Sequence, residues 1–204
     1  MTLRLNGSTS GYTEIDCPSV GGNNTLVLPT GNGSADQALV TNGSGTLSFA
    51  DRGRMVLETA KTATSTAVDF TNIPNWVKRV TVMIRGVSSN GTSNFLLQLG
   101  ISSGFVTTGY SGAVNRELNT LSFSTGFQLM FNTSAVTTNE IPISLVNVST
   151  NTWMGSFVSA RSDAAVSYGA GSIALSGTLD RVRITTVNGT DTFDAGSINI
   201  LYEG

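Results

Sequence analysis

The chain has 204 residues, a net charge of −2 and only 12% charged side chains, against roughly 25% in an average soluble domain. With no basic run beyond Lys78-Arg79 it carries no electrostatic footprint for nucleic acid, and no window approaches the roughly 20 apolar residues that span a bilayer. One cysteine, Cys17, and no histidine exclude an intrachain disulfide and a Cys-His nucleophilic pair, and leave Cys17 expected as a small buried apolar residue.

Residues 1–53 read as an extension. Leu26-Val27-Leu28, Ala38-Leu39-Val40 and the Leu47/Phe49 pair are apolar knots, each long enough for a strand and too short for a helix, with Gly, Asn and Ser turns between them. Ordering a residue costs about 1–2 kcal/mol of backbone entropy, which so little apolar surface cannot offset within one chain. The segment is therefore expected to fold against other chains as an intertwined stem, with Leu26, Leu28, Leu39, Leu47 and Phe49 as its assembly contacts. Gly31-Asn32-Gly33 and Gly43-Ser44-Gly45 are expected as turns between knots; neither precedes a helix or a lysine, as a phosphate-cradling loop does. The Gly-containing joint at 50–54 predicts a boundary, giving domains 1–53 and 54–204.

Beyond the joint, short runs rich in β-branched and aromatic residues recur over 55–61, 67–70, 78–87, 94–101, 121–131, 141–148, 152–158, 172–175, 179–187 and 197–202. This spacing predicts a sandwich or barrel. Val80, Val82 and Ile84 alternate with Arg79, Thr81 and Arg85, and Ile198, Ile200 and Tyr202 follow the same period, as half-buried strands do. Asn90-Gly91 and Asn188-Gly189 predict tight hairpins, each joining antiparallel neighbours. Stretches 134–139 and 159–165 predict at most a short turn. The fold expected is all-β: an extended N-terminal stem followed by a jelly-roll-like β-sandwich head.

Chemistry is sparse in this head. Glu117, Glu140, Asp163, Asp180, Asp191 and Asp194 lie scattered in or beside turns, which argues against the paired carboxylates of a glycosidase, and no enzyme is expected. Residues 188–194 place Asn and Asp oxygens at short spacing, but a turn with local side-chain to backbone hydrogen bonds explains them better than a cation site. No metal or cofactor is expected. Among aromatic residues Trp76 is assigned to packing, while Tyr110, Trp153 and Tyr168, in or near Gly-rich or polar loops, are the candidates for contact with a glycan. Packing remains the commoner role of such rings.

A resemblance joins these readings. The series Leu28-Pro29-Thr30, Gly31-Asn32-Gly33, Gln37-Ala38-Leu39-Val40-Thr41 and Gly43-Ser44-Gly45-Thr46-Leu47-Ser48-Phe49 resembles the trimeric stem repeats of phage tail-fibre and head-fibre proteins. The opening Leu3 to Thr13 and the closing Leu179 to Ile200 are similar to the same family, which occurs in tailed phages, including those of aquatic bacteria such as cyanobacteria. The resemblance implies a homotrimeric virion protein. Its N-terminal segment, including Leu3 to Ser19, would dock onto other virion proteins of the tail, baseplate or capsid, and its head would contact a host surface glycan, three heads giving avidity. A short tail fibre used in adsorption is the reading preferred; the alternative is a capsid-mounted decoration or head-fibre protein that stabilises the shell or aids surface attachment. A bacterial lectin-like module is a third class, disfavoured because Met1-Thr2-Leu3-Arg4 does not open a signal peptide. The expected location is the virion, after synthesis in the host cytoplasm, without membrane insertion.

Overall fold

Every regular element of the described residues is a strand. The structure, a computed structural model, describes residues 3–6, 8–15, 19, 22–35, 37–51, 53–117, 119–129 and 137–204. Cys17 and the first half of the 134–139 stretch lie outside them. In the N-terminal part the strands are β1 (Leu3–Asn6), β2 (Tyr12–Ile15), β3 (Gln37–Thr41) and β4 (Leu47–Asp51). Then follow β5 (Met55–Leu57), β6 (Lys61–Thr62), β7 (Ala67–Phe70), β8 (Arg79–Ser89), β9 (Phe95–Ile101), β10 (Gly104–Phe105) and β11 (Ser111–Arg116). The remainder are β12 (Asn119–Phe123), β13 (Phe127–Leu129), β14 (Thr137–Asn147), β15 (Thr152–Arg161), β16 (Val166–Ala174), β17 (Arg181–Thr186) and β18 (Phe193–Glu203). The chain divides into two compact units, Met1–Arg52 and Gly53–Gly204.

The first unit consists of two separate two-stranded ribbons, β1 with β2 and β3 with β4. The turn between β3 and β4 is built by Asn42, whose Oδ1 accepts from Ser44 N at 2.8 Å and Thr46 N at 3.2 Å, while Gly45 takes the positive φ of 86° that the return needs. Val27 joins this ribbon through a parallel bridge to Thr46, its amide donating to Gly45 O at 2.9 Å and its carbonyl accepting from Leu47 N at 2.8 Å.

The second unit has two sheets. One has nine strands in the order β12-β11-β16-β15-β14-β8-β18-β5, with β6 also on β18; the other has five, in the order β10-β9-β17-β7, with β13 also on β9. Inward residues of both enter one hydrophobic cluster: Val82, Ile84, Ile141, Ile143, Trp153 and Ile200 from the larger sheet, Leu97, Leu99, Phe127, Val182 and Ile184 from the smaller. Burying such side chains at about 1.5–3 kcal/mol each is the main source of stability here.

The connectivity corrects the expected hairpins. β8 and β9 are not paired with each other, nor are β17 and β18. Each consecutive pair, β8/β9, β13/β14 and β17/β18, sends one strand to each sheet, so that β8 lies between β14 and β18 while β9 lies between β13 and β17. Asn90-Gly91 and Asn188-Gly189 therefore lie in arches across the edge of the core. Both flanking strands bury an apolar face, and a tight hairpin would set those faces side by side in one sheet rather than against each other across the core. The two arches brace one another: Asn90 N donates to Thr192 O at 3.0 Å, Thr192 N to Asn90 Oδ1 at 2.9 Å, and Ser93 N to Asp191 Oδ2 at 2.9 Å.

Two strands are longer or newer than the residue pattern predicts. β11 was not expected at all, and β16 was expected only over 172–175. Both are rich in Gly, Ala and Ser. Beside the buried Val114, Ser167 and Ile173, several of their inward positions are glycines because aromatic rings of neighbouring strands occupy that space: a Cβ on Gly169 would lie 2.6 Å from the Phe157 ring, and one on Gly171 2.7 Å from the Phe123 ring. Phe157 is paired directly with Gly169, and Phe123 with Gly112 beside Gly171. Glycine here is set by packing, although it weakens a strand on propensity alone. Expected strands 55–61 and 121–131 are each divided, into β5 and β6 and into β12 and β13. Residues 137–139 begin β14, and 161–164 form the turn into β16, where Ala164 has φ 66°.

Candidate functional site

Among the described residues of Met1–Arg52 none is buried. Leu26, Leu28 and Leu39 are 66%, 70% and 48% exposed, while Leu47 and Phe49 are half-buried. Antiparallel pairing places Leu39 opposite Phe49 and Leu47 opposite Thr41, so the three apolar residues share one face of the β3–β4 ribbon. The Phe49 ring lies over Gly33, whose φ of 70° brings the backbone beneath it. Leu3, Leu5, Tyr12 and Ile15 of the first ribbon are likewise each more than half exposed.

The three aromatic candidates separate. Tyr110 is 3% exposed and Trp153 1% exposed, so both are core residues and neither presents a ring to a sugar. Tyr110 stacks edge-on against Phe127 with centroids 5.3 Å apart, and its hydroxyl accepts from Leu99 N at 2.7 Å. That hydroxyl completes the edge of β9. β13 pairs with Phe95 to Leu97 and β10 with Gly100 and Ile101, leaving the Leu99 amide between them. Burial raises the Tyr110 phenol well above the usual tyrosine range, against the lowering effect of the Leu99 hydrogen bond. Trp153 faces inward on β15 and its Nε1 donates to Asn151 Oδ1 at 3.0 Å.

Tyr168 is different. It is 57% exposed on the outward face of β16, beside an open groove of about 510 Å³ lined by Ala113, Asn115, Thr120, Gly169 and Ala170 among others. Asn115 Nδ2 donates to Thr120 Oγ1 across this groove at 2.7 Å. Trp76 packs against Tyr202 with centroids 5.7 Å apart, and Tyr202 donates to Glu58 Oε1 at 2.8 Å; burial and then the neighbouring Glu58 push the Tyr202 phenol up to about 12.

Four of the six head carboxylates, Asp163, Asp180, Asp191 and Asp194, have local structural partners, and Glu117 and Glu140 are exposed and far apart in the chain. Asp163 pairs with Arg161 across the β15–β16 turn, which holds its carboxyl below the usual range. Asp180 pairs with Arg181 at 2.7 Å, and Asp194 accepts from the Ser88 hydroxyl. Asp191 accepts from Asn188 Nδ2 at 2.6 Å and from Ser93 N; these hydrogen bonds, the Asn188 one foremost, lower its pKa. Its two oxygens thus serve the arches. Among the described residues no cluster of three or more His, Cys, Asp and Glu side chains could hold a metal.

The residue pattern gave no hint of a buried polar row at one end of the larger sheet. Asn139, Ser159 and Ser167 stand in register on β14, β15 and β16, and Asn139 Nδ2 donates to Ser159 Oγ. Among the described residues Asn139 Oδ1, Ser167 Oγ, Thr137 Oγ1 and Ser89 Oγ are buried with no hydrogen-bond partner.

No family model matches the chain, and neither a curated protein nor a solved structure matches it significantly. The class defined on structural grounds is an all-β protein with multiple sheets.

Proposed function

We propose that the chain is a virion structural protein of a tailed phage: a short homotrimeric tail fibre, attached by its N-terminus, whose head contacts the host surface during adsorption. In this reading residues 1–53 form the intertwined stem and 54–204 a jelly-roll-like β-sandwich head. The observation that carries it is the first unit itself, in which every large apolar side chain described is exposed or half-buried. A 52-residue unit whose described residues include no buried side chain and form two separate ribbons lacks, among those residues, the apolar burial that offsets backbone entropy. Three copies sharing Leu26, Leu28, Leu39, Leu47 and Phe49 supply it. The resemblance of the Leu28 to Phe49 series to fibre stems, and the near-neutral, weakly charged composition, point the same way.

A capsid-mounted decoration or head-fibre protein is the second reading, which the exposed apolar residues of the N-terminal unit fit equally. Labelling purified virions with a gold-tagged antibody against the head discriminates the two. Label at the tail tip is the result expected for an adsorption fibre; label over the capsid assigns the decoration role, and virions without label refute both.

A further inference from the structure

The two sheets of the head present very different outer faces. The five-stranded sheet is solvated: Arg183 forms two 2.8 Å hydrogen bonds with the Asp69 carboxylate and lies 4.1 Å over the Phe105 ring, and Arg181 pairs with Asp180. The nine-stranded sheet has an uncharged centre instead. Outward positions from Met154 to Ala160 on β15 and from Tyr168 to Ala174 on β16 carry no charge. Met154, Val158 and Tyr168 stand there at 50%, 66% and 57% exposure, with Val158 directly opposite Tyr168 and the small Ser156 opposite Ala170. An antiparallel sheet with one solvated face normally alternates apolar-in with polar-out; on β15 and β16 the outward positions from Met154 to Ala160 and from Tyr168 to Ala174 are apolar or small instead.

Charged side chains of both signs flank that centre: Arg79 and Arg85 on β8, Glu140 on β14, and Asp194 and Glu203 on β18, with Arg79 and Glu203 3.6 Å apart. An uncharged centre with a polar rim of mixed charge is the anatomy of a protein interface, and a rim carrying both signs lets positive groups of one copy meet negative groups of another. The extent also fits. The five strands β8, β14, β15, β16 and β18 run for nine to eleven residues. At about 4.8 Å between strands and about 3.3 Å per residue they present roughly 700 Å², close to the roughly 800 Å² per partner of a stable interface.

We propose that the outer face of the nine-stranded sheet, centred on Met154, Val158 and Tyr168, is where the head packs against other copies of this chain. The inference rests on the oligomeric reading above and extends it from the stem to the head. It also reassigns Tyr168 from sugar contact to subunit contact.

The test is hydroxyl-radical footprinting of the full chain, read by mass spectrometry, beside S156R/A170R. Both substituted positions are exposed in the single chain, so arginine there alters the face and spares the core; near-ultraviolet circular dichroism verifies the fold. Met154 and Tyr168 are expected to be labelled roughly tenfold less in the wild-type oligomer than in the variant, as water-excluded interface centres are, with Phe105 on the other sheet labelled equally in both. Equal labelling of Met154 and Tyr168 in an oligomeric wild type overturns the head interface and leaves the stem reading standing. A wild-type chain that sediments as single copies overturns both.

Discussion

Tyr110→Phe isolates one hydroxyl in the core at constant shape. The Leu99 carbonyl retains the Val106 amide at 2.9 Å, so the change orphans a single group, the Leu99 N–H, which the Tyr110 hydroxyl accepts at 2.7 Å between the β13 and β10 pairings. The site is closed to water, Leu99 being fully buried and Tyr110 nearly so. A buried amide left without a partner costs about 1–3 kcal/mol, which for a chain of this size lowers the unfolding midpoint by about 2–12 °C. Thermal and urea unfolding, with Tyr168→Phe as the surface control, measure it. The pH dependence gives a second readout. Because burial raises the Tyr110 phenol in the folded state, ionisation is available first to the unfolded chain; the stabilisation is full below about pH 10 and is lost as pH rises toward the folded value. Tyr110→Phe should flatten that alkaline fall, with the part due to Tyr202 remaining. A loss below about 0.5 kcal/mol, typical of a neutral surface change, would refute the claim that this hydroxyl completes the β9 edge.

Three further outcomes are expected. Gly171→Ala sets a Cβ 2.7 Å from the Phe123 ring and 2.8 Å from Ser111 O, and overpacking against backbone should destabilise by about 1–3 kcal/mol in urea unfolding. Ser167→Ala removes a buried hydroxyl that has no partner among the described residues; calorimetry should show an unchanged or raised midpoint, since only an unpaired group is lost. Leu28→Asp with Leu39→Asp, made in the S156R/A170R background so that the head face cannot hold copies together, places charge on two exposed residues of the N-terminal unit and should abolish the trimers that S156R/A170R alone retains, in size-exclusion chromatography with light scattering; a trimer surviving all four changes refutes the stem.

The residues themselves revealed those strands whose packing obeys a simple period. Val80, Val82 and Ile84 on β8 and Ile198 and Ile200 on β18 are inward and buried, as strict alternation predicts. β11 and β16 are not legible because glycines interrupt their inward positions, leaving Val114 and Ile173 as isolated apolar signals; the rings that fill the space, Phe123 and Phe157, belong to other strands. Asn-Gly marks a turn without telling whether the chain returns in the same sheet or crosses to the opposite one, so both arches were expected as hairpins. The site followed the same logic. Tyr110 beside the positive-φ Gly109 and Trp153 after a polar run suggest loops, yet the strand phase and the needs of the Leu99 amide place both inside. Of the three candidates only Tyr168 has an exposed ring, and the uncharged face around it depends on which strands neighbour β16, a long-range fact that no local pattern encodes.

Sedimentation equilibrium of the full chain at micromolar concentration tests the central claim most directly. The account predicts a species of about 64 kDa, three copies of the 21.2 kDa chain; a single species at the mass of one chain would contradict it.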